Sequence, residues 1–73
     1  MKAKKRPKTF DVFRWKIDPT PDWACDHIHI DGEERLYSDG EYAEEGDFII
    51  QRPNYGISIM NEYEFHAKYE VVI

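Results

Sequence analysis

Apolar and polar residues alternate with a period of two in several short runs of this chain. Thr9-Phe10-Asp11-Val12-Phe13-Arg14-Trp15 is rich in aromatic and β-branched residues, which favours a strand. Phe10 and Val12 point one way and Phe13 and Trp15 the other, so both faces need cover, or one faces a partner. Further on, His27-Ile28-His29-Ile30 alternates, Asp31-Gly32 turns it into Glu33 to Ser38, and Leu36 continues the apolar side. Between these runs Asp18-Pro19-Thr20-Pro21-Asp22 is a rigid loop, and Trp23 to Cys25 is expected to make one short helical turn. Asp39-Gly40 marks another reversal.

The C-terminal half carries denser signals. Gly46-Asp47 turns the chain into a strand over Phe48 to Gln51, Pro53-Asn54-Tyr55-Gly56 reverses it, and Ile57 to Met60 returns. Asn61 is placed to cap a helical turn, with Glu64 at its third position and Met60 and Phe65 at the two staple positions. Phe65 and Tyr69, four apart, share one helical face. The expected fold is mainly β (α+β). It is a small curved antiparallel sheet or SH3-like barrel of five or six short strands, with one short helix near residues 62–68.

Seventy-three residues hold one domain, and a single core near this size supplies only about 3–5 kcal/mol. Little room is left for a buried active site. The lone Cys25 excludes an internal disulfide and suits a reducing compartment. The longest apolar runs are three residues, as in Phe48-Ile49-Ile50, so neither a signal peptide nor a membrane span is expected. The cytoplasm is the expected location, and a monomer the expected state.

The net charge of −5 combines two opposed regions. Lys2, Lys4, Lys5, Arg6 and Lys8 occur without an acid among residues 1–8, whereas Asp26 to Asp47 holds nine carboxylates against Arg35 alone. Residues 1–8 are thus expected to be a flexible basic arm before a single β-rich domain at 9–73, since short charged termini are commonly disordered. A sharper expectation is that Lys4, Lys5, Arg6 and Lys8 contact nucleic-acid phosphates. The acidic stretch is either a solvated face or a surface for a basic partner, with Glu41, Glu44, Glu45 and Asp47 as contact residues.

Candidate chemistry is sparse. Cys25, His27 and His29, with His66 as a fourth ligand, form the one constellation resembling a metal site. Structural zinc sites place ligand pairs two to five residues apart with a second pair distant in sequence, a pattern this chain does not follow. Cys25 with a histidine on the same strand lacks an evident oxyanion donor, and the four glycines lie singly in turns rather than in a phosphate-cradling loop. The expectation is a non-enzyme with no cofactor.

Two segments carry a resemblance. Lys5-Arg6-Pro7 followed by Phe10-Asp11-Val12-Phe13-Arg14-Trp15 is similar to the "KKPV…VEAxQW" opening of small phage and prophage proteins. Glu45-Gly46-Asp47-Phe48-Ile49-Ile50 resembles their "PGDYII" motif, and Phe65 with Tyr69-Glu70 their "DIFExTYE" close. Glu45 departs from the family's proline, Asn54-Tyr55-Gly56 from its Val-Lys-Gly-type turn, and Glu62 from a frequent proline; residues 16–44 have no counterpart. Within that family, the length and opening strand look most like a phage transcription regulator. This resemblance implies binding to host RNA polymerase, inhibition of promoter-dependent initiation and antitermination at intrinsic terminators, with the basic arm near nascent RNA or promoter DNA. The alternative from another class is a phage anti-defence protein that acts as an acidic DNA mimic or nuclease inhibitor.

Overall fold

Strand β2 (Lys8–Arg14) decides the architecture, because its two apolar faces are covered by different layers. The computed structural model describes residues 2–5, 8–53 and 56–72, with only the backbone of Lys5 and Asp31. Beside β2 lie β1 (Lys2–Lys5), β6 (Phe48–Gln51), β7 (Ile57–Met60) and β8 (Glu70–Val72), forming an antiparallel five-stranded sheet in the order β7-β6-β2-β1-β8. A second, three-stranded sheet contains β3 (Ile28–Asp31), β4 (Glu33–Ser38) and β5 (Glu41–Tyr42). Helix α1 (Glu62–Lys68) links β7 at one edge of the larger sheet to β8 at the other.

Side-chain alternation then builds two cores. On one face Val12, Phe48, Ile50 and Ala3 pack under Phe65 of α1, with Phe10, Met60 and Tyr69 around them. On the other, Phe13, Trp15, Ile49 and Ile57 meet Leu36 of β4 and Ala24 of the 3₁₀ turn Asp22–His27. Both faces of β2 are therefore covered, and apolar residues in adjacent strands share faces because their registers match: Val12 lies opposite Ile50 and Phe13 opposite Ile49. Burying Phe, Trp and Ile side chains contributes about 1.5–3 kcal/mol each before entropy is counted.

The hairpin over Phe48–Gln51 and Ile57–Met60 forms as expected, with Gln51 opposite Ile57 and the Arg52 amide donating to the Gly56 carbonyl at 2.9 Å. Asn54 and Tyr55 of its turn lie outside the described residues. The Asn61 cap also forms, its Oδ1 accepting the Glu64 amide at 2.8 Å. Glu64 turns its carboxylate to Lys68 at 3.2 Å, an i,i+4 pair along the helix. Asn61→Ala is expected to cost about 1 kcal/mol, measurable as a lower urea midpoint with unchanged slope.

The mainly β fold, an open antiparallel sheet with one short helix, is as expected. The alternative closed barrel does not form among the described residues, which make eight strands rather than five or six. Two further expectations need correction. Residues 2–5 are not a mobile arm: β1 pairs with β2 on one side and β8 on the other, and Ala3 is fully buried. Lysine-rich sequence is a poor strand former by itself. Here two neighbouring strands, the burial of Ala3 and an ion pair from Lys2 to Asp11 hold it. Finally, the helical turn extends through His27, so β3 starts at Ile28.

Candidate interaction surfaces

At the basic end, β1 and β2 close with Lys5 opposite Lys8, while Arg6 and Pro7 lie outside the described residues. Lys4 and Lys8 are exposed. Lys4 lies opposite Glu70 of β8 and Thr9 of β2, so it sits within the sheet surface rather than at a free end. Arg52, just beyond β6, joins Lys8 along one groove of about 310 Å³. On the α1 side, a second groove of about 560 Å³ brings Arg52 and Lys68 to the Phe10 and Tyr69 rings, which meet edge to face at 5.9 Å. Neither Arg52 nor Lys68 was assigned from sequence. Each lies far along the chain from the basic N-terminal segment, and only strand pairing places Arg52 beside Lys8.

The acidic turn occupies the other end of β2. The Trp15 amide donates to the Asp47 carbonyl and the Gly46 amide to the Trp15 carbonyl, both at 2.9 Å. At this join Gly46 adopts φ +91°, a conformation that costs residues with a Cβ roughly 1–2 kcal/mol. With β2 rising roughly 3.3 Å per residue, the turn stands roughly 20 Å from Lys8. Glu41, Glu44 and Glu45 are exposed. Asp47 instead serves the turn: its Oδ2 accepts the Glu44 amide at 2.9 Å and its own amide donates to the Glu44 carbonyl at 3.0 Å.

An adjacent clasp fixes the exit from β2. The Arg14 guanidinium reaches both oxygens of Asp18, at 3.0 and 3.2 Å, and the Arg14 amide donates to Asp18 Oδ2 at 2.9 Å. The side-chain hydrogen bond from Arg14 holds the Asp18 carboxyl below its ordinary value, with help from the Arg14 amide and charge and against the opposing effect of burial. The same hydrogen bond and the Asp18 charge raise Arg14. A depressed carboxyl stabilises the fold above its unfolded value, and that stability is lost as pH falls through the folded one. Asp18→Asn is thus expected to flatten the acid limb of stability against pH, measured by urea unfolding from neutral pH down to about pH 3. An unchanged acid limb would contradict it.

The candidate metal ligands do not assemble. Cys25 and His27 lie on the 3₁₀ turn and His29 on β3, so they do not share one strand face. His66 packs against Phe48 on α1, across the five-stranded sheet. Among the described residues no three His, Cys, Asp or Glu side chains are grouped to hold a metal ion, and no helix is long and apolar enough to cross a membrane.

A third surface was not anticipated. His29, Tyr37 and Tyr42 form a row of rings on the outer face of the three-stranded sheet, with centroids 5.6 and 5.0 Å apart. The Arg35 guanidinium lies 5.5 Å from the Tyr42 centroid and pairs with Glu33 at 3.1 Å. The signal was present in sequence: a two-residue Asp39-Gly40 turn sets Ser38 against Glu41 and hence Tyr37 against Tyr42. No family model, no curated protein sequence and no solved structure matches the chain.

Proposed function

We propose that the protein is a phage transcription regulator that docks on host bacterial RNA polymerase, inhibits promoter-dependent initiation and promotes antitermination at intrinsic terminators. The observation that carries the reading is the separation of charge on one scaffold: Lys4, Lys8 and Arg52 at one end of β2 and Glu44 and Glu45 at the other. A protein bound through its acidic end to a basic polymerase surface presents its basic end to nascent RNA or promoter DNA. Carboxylates opposite a basic patch speed association and select the partner, while lysine and arginine attract phosphates without regard to sequence. Keeping the RNA hairpin from forming at the exit channel is sufficient for readthrough, and occlusion of promoter contacts for the block to initiation. The similarity of the opening strand and of the turn at Glu45 to Ile50 to phage proteins supports the same reading.

Purified host polymerase and a template bearing an intrinsic terminator test it. The expected result is retention of polymerase on the immobilised protein, fewer initiations and more readthrough. Failure to retain polymerase overturns the proposal. The exposed carboxylates Glu33, Glu34 and Glu41 favour a second reading, an anti-defence protein that mimics DNA or caps a nuclease. Inhibition of a host nuclease with no effect on transcription would select it.

A further inference from the structure

We propose that the outer face of the β3-β4-β5 sheet docks an arginine-bearing basic segment of a partner protein. The inference goes beyond the transcriptional reading, because it holds whichever protein carries that segment. Alternation along β4 turns Leu36 into the core and leaves Arg35 and Tyr37 on the opposite side, where β3 adds His29 and β5 adds Tyr42. Tyr37 is 36% and Tyr42 53% exposed, so these rings contribute less to the core than their size allows. Tyrosines placed this way provide large, rigid contact area at low entropy cost, and tyrosine and arginine are enriched at the energetic centres of interfaces.

The charge around the row selects the occupant. Alternation puts the exposed Glu33 on the face of Arg35 and Tyr37 and turns Glu34 and Glu41 to the other side, while the exposed Asp26 and Asp39 border the row; these three carboxylates repel phosphates and attract cations. A groove of about 390 Å³ runs from His29 and Tyr37 to Asp26 and Asp39, with Arg52 also on its wall. The chain displays the preferred ligand on itself: Arg35 sets its guanidinium over Tyr42 while forming an ion pair with Glu33. A planar guanidinium stacks on a ring and bonds a carboxylate at once, whereas a lysine ammonium is a strongly hydrated point charge. The occupant is therefore an arginine segment in preference to a lysine one.

The test titrates isotope-labelled protein with a synthetic arginine-glycine peptide and a lysine-glycine peptide of equal charge, following backbone amide signals. Expected are shifts confined to β3, β4 and β5, and affinity for the arginine peptide about two- to fivefold higher, the size of one exposed cation–π contact. Tyr42→Leu should lose that preference. Arg35→Ala should tighten arginine-peptide binding, since it frees the Tyr42 ring and the Glu33 carboxylate; a merely structural role for Arg35 would not do so. Equal affinity for the two peptides, shifts centred on residues 44–47, or saturable binding of an oligonucleotide to this face would each overturn the proposal.

Discussion

Phe65→Ala is expected to leave the protein largely unfolded at room temperature. Phe65 is fully buried, and its ring is stacked between Phe48, with centroids 3.9 Å apart, and Tyr69, at 5.2 Å, both within 5° of parallel. It is also the residue through which α1 closes one of the two cores. Truncating a buried phenylalanine to alanine costs about 3–5 kcal/mol, comparable with the whole stability of a domain this small, about 3–5 kcal/mol. Phe65→Leu keeps most of the volume and should cost about 1–1.5 kcal/mol, leaving a folded protein with a lowered midpoint. Urea unfolding followed by circular dichroism distinguishes the two. A cooperative transition in the alanine variant close to that of the parent would mean that the stack does not hold the layer.

The largest functional effect is expected from Lys8→Glu combined with Arg52→Glu. Both side chains are exposed and line the same groove, so the pair should fold with stability changed by about 0.5 kcal/mol or less per site. Losing two phosphate contacts should lower the slope of log affinity against log salt by about 2 and weaken binding to a polymerase–nucleic acid complex by at least about tenfold at low salt. Filter binding or anisotropy at several salt concentrations measures both quantities. Unchanged affinity and slope would remove nucleic acid from the role of the basic end. Lys4→Glu is the poorer probe, because Lys4 faces Glu70 across a strand pair and its reversal sets two carboxylates opposite each other.

Much of the fold was legible because local signals agreed with one another. The hairpin of β6 and β7, the Asn61 cap and the helix over Glu62–Lys68 each rested on turn, cap and alternation signals pointing to the same structure. Strand β1 was missed for the opposite reason. Nothing local in Lys2–Lys5 favours extension, and its pairing with β8 joins residues almost a chain length apart. The same long-range pairing explains the open sheet. With β1 and β8 added beyond β2, the sheet becomes five strands wide and is covered by α1 and the meander instead of curling into a barrel.

Of the interaction surfaces, charge was visible in the sequence but its arrangement was not. Glu44 and Glu45 lie exposed at the turn, whereas Asp47 is occupied within it, a distinction that depends on which amides lack partners. Arg52 became part of the basic end only through the register of β2 and β6. The ring row of His29, Tyr37 and Tyr42 followed from strand pairing that composition does not reveal.

The position of β1 between β2 and β8 also bears on how the chain folds. Lys2 pairs with Val72, so two segments far apart in sequence must meet before this strand has both neighbours. Such sequence-distant pairing slows folding, placing it in the millisecond-to-second regime of topologies rich in non-local pairs. Throughout that interval the hydrogen-bonding edge of β1 is open to any other extended chain. Lysines along an exposed edge discourage such pairing, and Lys2 and Lys4 stand on this one. The cations that suggest recognition in the folded protein thus also guard the folding one against aggregation.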